Sequence, residues 1–335
     1  MNQTKIYSTV FAFFSFYLLS CHAKNFVQSQ TLSLISTIEL PGIKGRIDHI
    51  AFNPGLQQVF IAALGNNSVE VIDLKAKKVV YSIHNLSEPQ GIIFVRETNT
   101  IFVSNGKNGR CDVFNAHDFS KITSIQLEGD ADNVRYDSTS KKIFVGYGNG
   151  GIAIIDAYTY KVVGNVKLEG HPESFQLDGP GKRIFVNVPD KEEVEIIDLN
   201  KKKVIKRWKL RGAKLNFPMG LDTLNHHLFI GSRHQDNLLV LDTESGSQVT
   251  TLDTDSDADD LFYDQKNDNI YLSCGSGFID VFKQKIDGNY KFIEKISSAS
   301  GARTSLFIPN LNELIVASPK NSTRNASLLV FEIKK

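Results

Sequence analysis

VFIAALG at 59–65 returns as IFVSNG at 101–106, IFVGYG at 143–148, IFVNVP at 184–189, LFIGSR at 228–233, IYLSCG at 270–275 and LIVASP at 314–319. Successive starts lie 42, 42, 41, 44, 42 and 44 residues apart. Each run is short, apolar and rich in Ile, Val and Phe, and each is closed by Gly, Asn, Pro or Arg, which marks a strand rather than a helix. A second strand follows each run: VEVID at 69–73, CDVFN at 111–115, IAIID at 152–156, VEIID at 194–198, LLVLD at 238–242, FIDVF at 278–282 and LLVFE at 328–332. Most units add a third, such as KVVYSI at 78–83 or KVVGNVKL at 161–168, and each is preceded by one such as HIAF at 49–52 or NVRY at 133–136.

Seven units of four short strands, repeating at 41 to 44 residues, predict an all-β chain folded as a seven-bladed β-propeller. The last unit stops after its third strand near Phe331, while TLSLISTIEL at 31–40 belongs to no unit. That N-terminal strand is expected to complete the last blade and remove the open edges that invite aggregation. A linear solenoid would leave both end sheets exposed and has no capping repeat here.

The 335 residues carry 38 Lys and Arg against 37 Asp and Glu, a net charge of +1. No overall field draws the protein to nucleic acid. A hydrophobic content of 41% fits a folded globular chain. The 3 cysteines, Cys21, Cys111 and Cys274, are too few and too scattered for a disulfide framework or a cysteine zinc site. Lys5, the apolar run VFAFFSFYLL at 10–19 and the following Ser-Cys-His-Ala read as an export signal over 1–23, too short to span a bilayer that needs about 20 apolar residues. Two processing routes are open. Cleavage before Lys24 leaves a free periplasmic or secreted protein, whereas Leu18-Leu19-Ser20-Cys21 read as a lipobox makes Cys21 a lipidation site and anchors the chain in the envelope. Residues 24–335 are then a single propeller without a transmembrane span.

Aligning the innermost strands on their first apolar residue places one residue of each blade at each level of the channel entrance. Two positions before it stand Asp48, Gln90, Asp132, Glu173, Met219, Asp259 and Thr304; four positions before it stand Arg46, Glu88, Asp130, His171, Phe217, Asp257 and Ala302. All of these but Arg46, Ala302 and Thr304, together with the adjoining His49, Asn133, Asp260 and Arg303, form the candidate ligand site at the mouth. Converging carboxylates repel one another, which favours a bound cation or raises their pKa values. Asp132 and Glu173 are the best-placed pair for a divalent metal, and His49 and His171 add nitrogen donors suited to a transition metal. The apolar sector at Phe217 and Met219 suits a small organic ligand. A plainer reading stands beside these, in which the acids only cap turns at the tops of the strands.

The runs RIDHIAFNP, VFIAALGNNSVEVIDL, EPQGIIFV, DADNVRYD and GHPESFQLD resemble the YncE-type, or YVTN-repeat, β-propellers of bacterial envelopes across essentially the whole mature chain. More distantly the repeat is similar to haem d1 propellers, including the NirF group, and to the quinoprotein amine dehydrogenase heavy chain. Those relatives imply a cofactor but supply no matching catalytic residue. The chain has no Cys-X-X-Cys-His, no Gly-X-Ser-X-Gly and no Gly-X-X-X-X-Gly-Lys. The expectation is an exported binding or scaffold module for a small molecule or an envelope protein partner. The enzyme alternatives are metal-dependent hydrolysis of the lactonase type and redox chemistry with a haem d1 or quinone cofactor.

Overall fold

The computed structural model describes residues 31–179 and 182–334, so residues 1–23, read above as an export signal, and Cys21 with them lie outside the described residues. Seven antiparallel four-stranded sheets form a closed ring. Six blades are continuous in sequence, at 50–83, 89–126, 131–167, 175–209, 216–253 and 258–297. The seventh joins 304–333 to the N-terminal strand Leu32–Glu39, which pairs with Ser327–Ile333 as its outermost member. The expected closure is present.

Burial follows position in the blade. The second strands, such as Thr100–Asn105, are buried along their length because a neighbouring blade covers each face, and this is why they read as unbroken apolar runs. The outermost strands, such as Lys78–Ile83 and Lys203–Lys209, are mostly exposed and carry the lysines that protect a sheet edge. The repeated aspartate that ends the third strand caps the following turn. Asp73 accepts from the Ala76 amide at 2.8 Å, Asp198 from Asn200 at 2.9 Å and Asp242 from Ser245 at 2.7 Å.

Each outermost strand carries one bulge at the same place. Register slips opposite Val71/Ile72, Val113/Phe114, Ile154/Ile155, Ile196/Ile197, Val240/Leu241 and Val281/Phe282, and in the last blade between Leu34 and Ser36. The extra residue is Val80, Ile122, Val163, Ile205, Val249, Ile293 or Ile35, and all but Ile293 are exposed. These side chains leave the alternation of the strand, so strict period-two reading puts them on the wrong face. Replacing Val80, Ile122 or Val163 by Thr, which keeps the β-branch, should move the urea midpoint by less than about 0.5 kcal/mol equivalent. A loss of 2 kcal/mol or more would mean that the bulged residue is packed.

Candidate functional site

The innermost strands Ile50–Asn53, Pro89–Val95, Ala131–Asp137, Phe175–Asp178, Asn216–Asp222, Ala258–Asp264 and Thr304–Ile308 line the axis. Pairing with the second strands sets their true equivalence. Ile50, Ile92, Val134, Phe175 and Leu261 lie opposite Ile61, Val103, Val145, Val186 and Leu272, but the matching residues of blades 5 and 7 are Met219, opposite Ile230, and Ser305, opposite Val316. The ring two positions above is therefore Asp48, Gln90, Asp132, Glu173, Phe217, Asp259 and Arg303. Met219 is 1% exposed and packs among Phe185, Leu228 and Ile230, and Thr304 donates to the Ile47 carbonyl at 3.4 Å. Both leave the expected ring, because the strand in blade 5 starts two residues earlier, and in blade 7 one residue earlier, than the apolar pattern suggests. In blades 2, 3, 5 and 6 the ring residue lies within a register break, at Pro89/Ile92, Ala131/Val134, Asn216/Met219 and Ala258/Asp260. A bulge there re-aims a side chain away from the strand's alternation. Gly91 lets blades 2 and 3 approach at this level, since a Cβ would collide with the Asp132 carbonyl oxygen.

The ring is an ionic mesh. Arg46 Nη2 lies 2.8 Å from Asp48 Oδ2. Arg303 reaches Asp257 at 2.8 Å and Asp259 at 3.1 Å, and Arg233 pairs with Asp259 while stacking over Phe217 at 4.1 Å. His49 sits among three carboxylates, 3.8 Å from Asp132, 3.9 Å from Asp48 and 3.9 Å from Asp260. His171 Nδ1 is 2.6 Å from the Gly148 carbonyl oxygen and 3.8 Å from Asp130, and its Nε2 is 4.0 Å from Asp132. Gln90 donates to Asp130 at 3.0 Å. Among the described residues Asp48, Asp132, Glu173 and Asp259 make no hydrogen bond to a backbone amide, so turn capping does not account for them; Asp260, which accepts from the Ser305 amide at 2.7 Å, is the exception. Asn133 is buried in the mouth wall. Glu88 points away, half-exposed beside Lys107 at 3.7 Å, and Ala302 is buried in the core between blades 6 and 7.

Burial and crowding shape the titration. Burial, with the fields of Asp132 and Asp259 against those of His49 and Arg46, pushes Asp48 up to about 6. Burial likewise lifts Asp260 to about 6 against the pull of His49, and burial with the Asp132 charge drives Glu173 well above the usual carboxylate range. For His171 burial disfavours the charged form, but Asp132, the Gly148 carbonyl, Glu173 and Asp130 outweigh it and bring the imidazole to about 9. His49 is raised as well: burial opposes its charge, and Asp48, Asp260 and Asp132 overcome it.

Donor atoms of Asp132, His171 and Glu173 lie within 4.8 Å of one another, the arrangement that suits a cation. The protonated His171 competes for the same place, because an imidazolium must release its proton before it ligates. The free volume inside the mouth is about 10 Å³, enough for one water or ion and too little for an organic substrate.

Below the ring the channel widens. A cavity of about 530 Å³ draws its lining from all seven inner strands, with Ile93, Phe94, Phe52, Phe262 and Leu306 on its apolar wall and Arg135, Gln176, Asp260, His49, Ser174 and Ser305 among its polar groups. The lining continues to Pro54, Pro309 and Asn310, in the hairpins where the inner strands end, so the cavity reaches toward the face opposite the ring. The sequence reading missed this chamber, Arg135 and Arg233. The sequence alone does not mark Arg135, because the level just after the aligned apolar residues also holds Asp222 of blade 5. Only the structural register, which gives Ala51, Ile93, Arg135, Gln176, Gly220, Phe262 and Leu306, leaves Arg135 as the one charged member.

No protein-family model matches the chain, and no curated protein matches it in sequence. Solved structures do resemble it. A chain of the mitotic checkpoint complex superposes with a TM-score of 0.78 at 14% identity, covering 97% of this chain and 99% of that one. The hydrazine synthase of Kuenenia stuttgartiensis superposes with a TM-score of 0.76 at 14% identity, covering 88% of this chain and 99% of that one. At such identity the likeness establishes the propeller fold and no activity.

Proposed function

We propose that the protein is an exported, YncE-like β-propeller that binds a small organic molecule in its axial channel, beneath the charged ring rather than on it. The observation that carries this is the chamber of about 530 Å³, lined by apolar side chains with a few polar groups and sealed above by the ion-paired ring. Its size and character match those of small-molecule sites in general, about 300 to 1,000 Å³. The export signal read over 1–23 supports a place in the periplasm or outside the cell, and no helix among the described residues is long and apolar enough to cross a membrane.

The geometry favours binding over hydrolysis. A lactonase-type mechanism needs a metal with an open position and room for the carbonyl beside it, and the mouth has space for an ion alone. The redox alternative rests on distant resemblance without a residue of this chain to carry it.

The neutral fluorophore N-phenyl-1-naphthylamine tests the chamber. It should bind with one-to-one stoichiometry and a blue-shifted emission, and Leu306→Trp, which fills the chamber from the seventh blade, should weaken it at least tenfold while leaving the circular dichroism unchanged. Absence of binding, or binding indifferent to Leu306→Trp, would reject the chamber as the ligand site.

A further inference from the structure

The chamber's polar groups say which ligands it selects, an inference that rests on the binding reading above. Arg135 belongs to Ala131–Asp137 of the third blade and turns its guanidinium into the chamber wall. Nη1 donates to the Val134 carbonyl at 3.0 Å and Nη2 to Ser174 Oγ at 3.4 Å, and the group lies 5.4 Å from the Phe175 ring centroid. A guanidinium has five N–H donors, so three lack a partner among the described residues. No carboxylate among the described residues comes within 4.0 Å of it. Every other arginine of the ring, Arg46, Arg233 and Arg303, holds at least one carboxylate at close range.

Arg135 is half-buried in the chamber wall, and a partly desolvated cation gains from a close anionic partner. The one nearby acid on the chamber wall is already engaged. Asp260 accepts from the Ser305 amide at 2.7 Å and faces His49 at 3.9 Å. Asp260 and Asp132 act on the guanidinium only through space, without an ion pair within 4.0 Å, so its free N–H donors are left for a ligand in the chamber that Phe52, Phe94, Phe262 and Leu306 also line. A planar fork of donors beside aromatic and aliphatic walls recognises a carboxylate, sulfonate or phosphate carried on an apolar body.

We infer that the axial chamber binds amphipathic organic anions, with Arg135 holding the anionic group and the apolar walls holding the remainder. Gln176, whose side-chain amide donates one of its two N–H groups to the Met219 carbonyl at 2.7 Å, lines the wall on the neighbouring blade and carries no charge to compete with Arg135 for the anion.

The test compares two fluorophores of one skeleton, N-phenyl-1-naphthylamine and its sulfonate, 8-anilinonaphthalene-1-sulfonate. In the full mature chain the sulfonate should bind at least tenfold more tightly than the neutral probe. Arg135→Met should remove that preference, so that the two probes bind within twofold of each other, and Arg135→Lys should restore part of it, since charge returns without the fork. Competition on the unmutated protein provides a second measurement that needs no variant to fold: decanoate should displace the neutral probe at lower concentration than decanol. Equal binding of the two probes with equal displacement by the two competitors would overturn the anion assignment and leave the chamber intact. Failure of both probes to bind would overturn the chamber reading itself, and sulfonate binding unaffected by either Leu306→Trp or Arg135→Met would place the anion elsewhere and overturn the inference.

Discussion

Leu32→Ala combined with Ile38→Ala is expected to cost roughly 4 to 8 kcal/mol and to leave most of the chain unfolded or aggregated at 37 °C. Both side chains are 1% exposed, yet they serve different interfaces. Leu32 packs with Tyr271, Leu314 and Phe331 between the sixth and seventh blades, and Ile38 packs with Ile61, Ile315 and Leu328 between the seventh and first. Residues six apart on a regular strand share a face. Here the bulge between Leu34 and Ser36 turns the strand over, so one eight-residue segment seals both sides of the last blade. Because the two sites share no packing partner, their costs should add within about 0.5 kcal/mol. The second consequence is exposure of Ser327–Ile333 as a free edge once the closing strand lets go, and a bare edge templates aggregation. Urea unfolding of both single variants and the double variant, with light scattering, measures this. A double variant within 2 kcal/mol of wild type would mean that the ring holds without its closure, through contacts of the remaining blades alone.

The same strand marks how far sequence carries the structure. The blades were legible because a strand covered on both faces must be apolar throughout, and the runs from Val59 to Leu314 repeat that constraint seven times at nearly constant spacing. Closure was legible by counting, since TLSLISTIEL had no unit and the last unit lacked a strand. Bulges left no mark that period-two reading can recover. Leu34 and Ile35 look like core positions and are exposed, and Met219, a mouth position in the apolar pattern, is buried at the level that its register partner Ile230 sets. The acids of the ring were found by alignment, whereas Arg233 comes from the loop after a second strand, outside any inner strand, and no level of the alignment includes it. Arg135 escapes the sequence for a different reason: with blade 5 aligned on Leu221 its level also holds Asp222, and only the register that puts Gly220 there leaves Arg135 as the one charged residue.

Stability should be greatest near pH 4 to 5 and should fall steadily toward pH 9, which is the reverse of what a mesh of ordinary ion pairs produces. The sign follows from each group. Asp48 and Asp260 have folded pKa values of about 6, above the unfolded carboxylate value, so the native state holds their protons more tightly and loses stability as pH rises from about 4 through 6. Glu173, raised well above its usual range by burial and Asp132, acts in the same direction. His171 adds a second step. Its folded value of about 9 exceeds the unfolded value near 6.5, so its contribution is full below 6.5 and is lost as pH climbs through 9. The ceiling on that contribution is on the order of 3 kcal/mol. Below pH 4 the balance reverses, because the turn-capping Asp137, Asp156 and Asp242 have depressed values and their stabilising contribution is lost as they protonate. A series of thermal melts from pH 3 to 9 should therefore show a maximum on the acid side and a fall of several degrees between 6.5 and 9. Asp132→Asn removes the charge 4.0 Å from His171 and 3.8 Å from His49, which returns His171 toward 6.5 and flattens the alkaline step. If wild type instead gains stability between pH 5 and 9, or if Asp132→Asn leaves the alkaline slope unchanged, His171 is not a proton held by the ring. The mesh of Arg46, Arg233 and Arg303 would then neutralise its acids without help from either histidine.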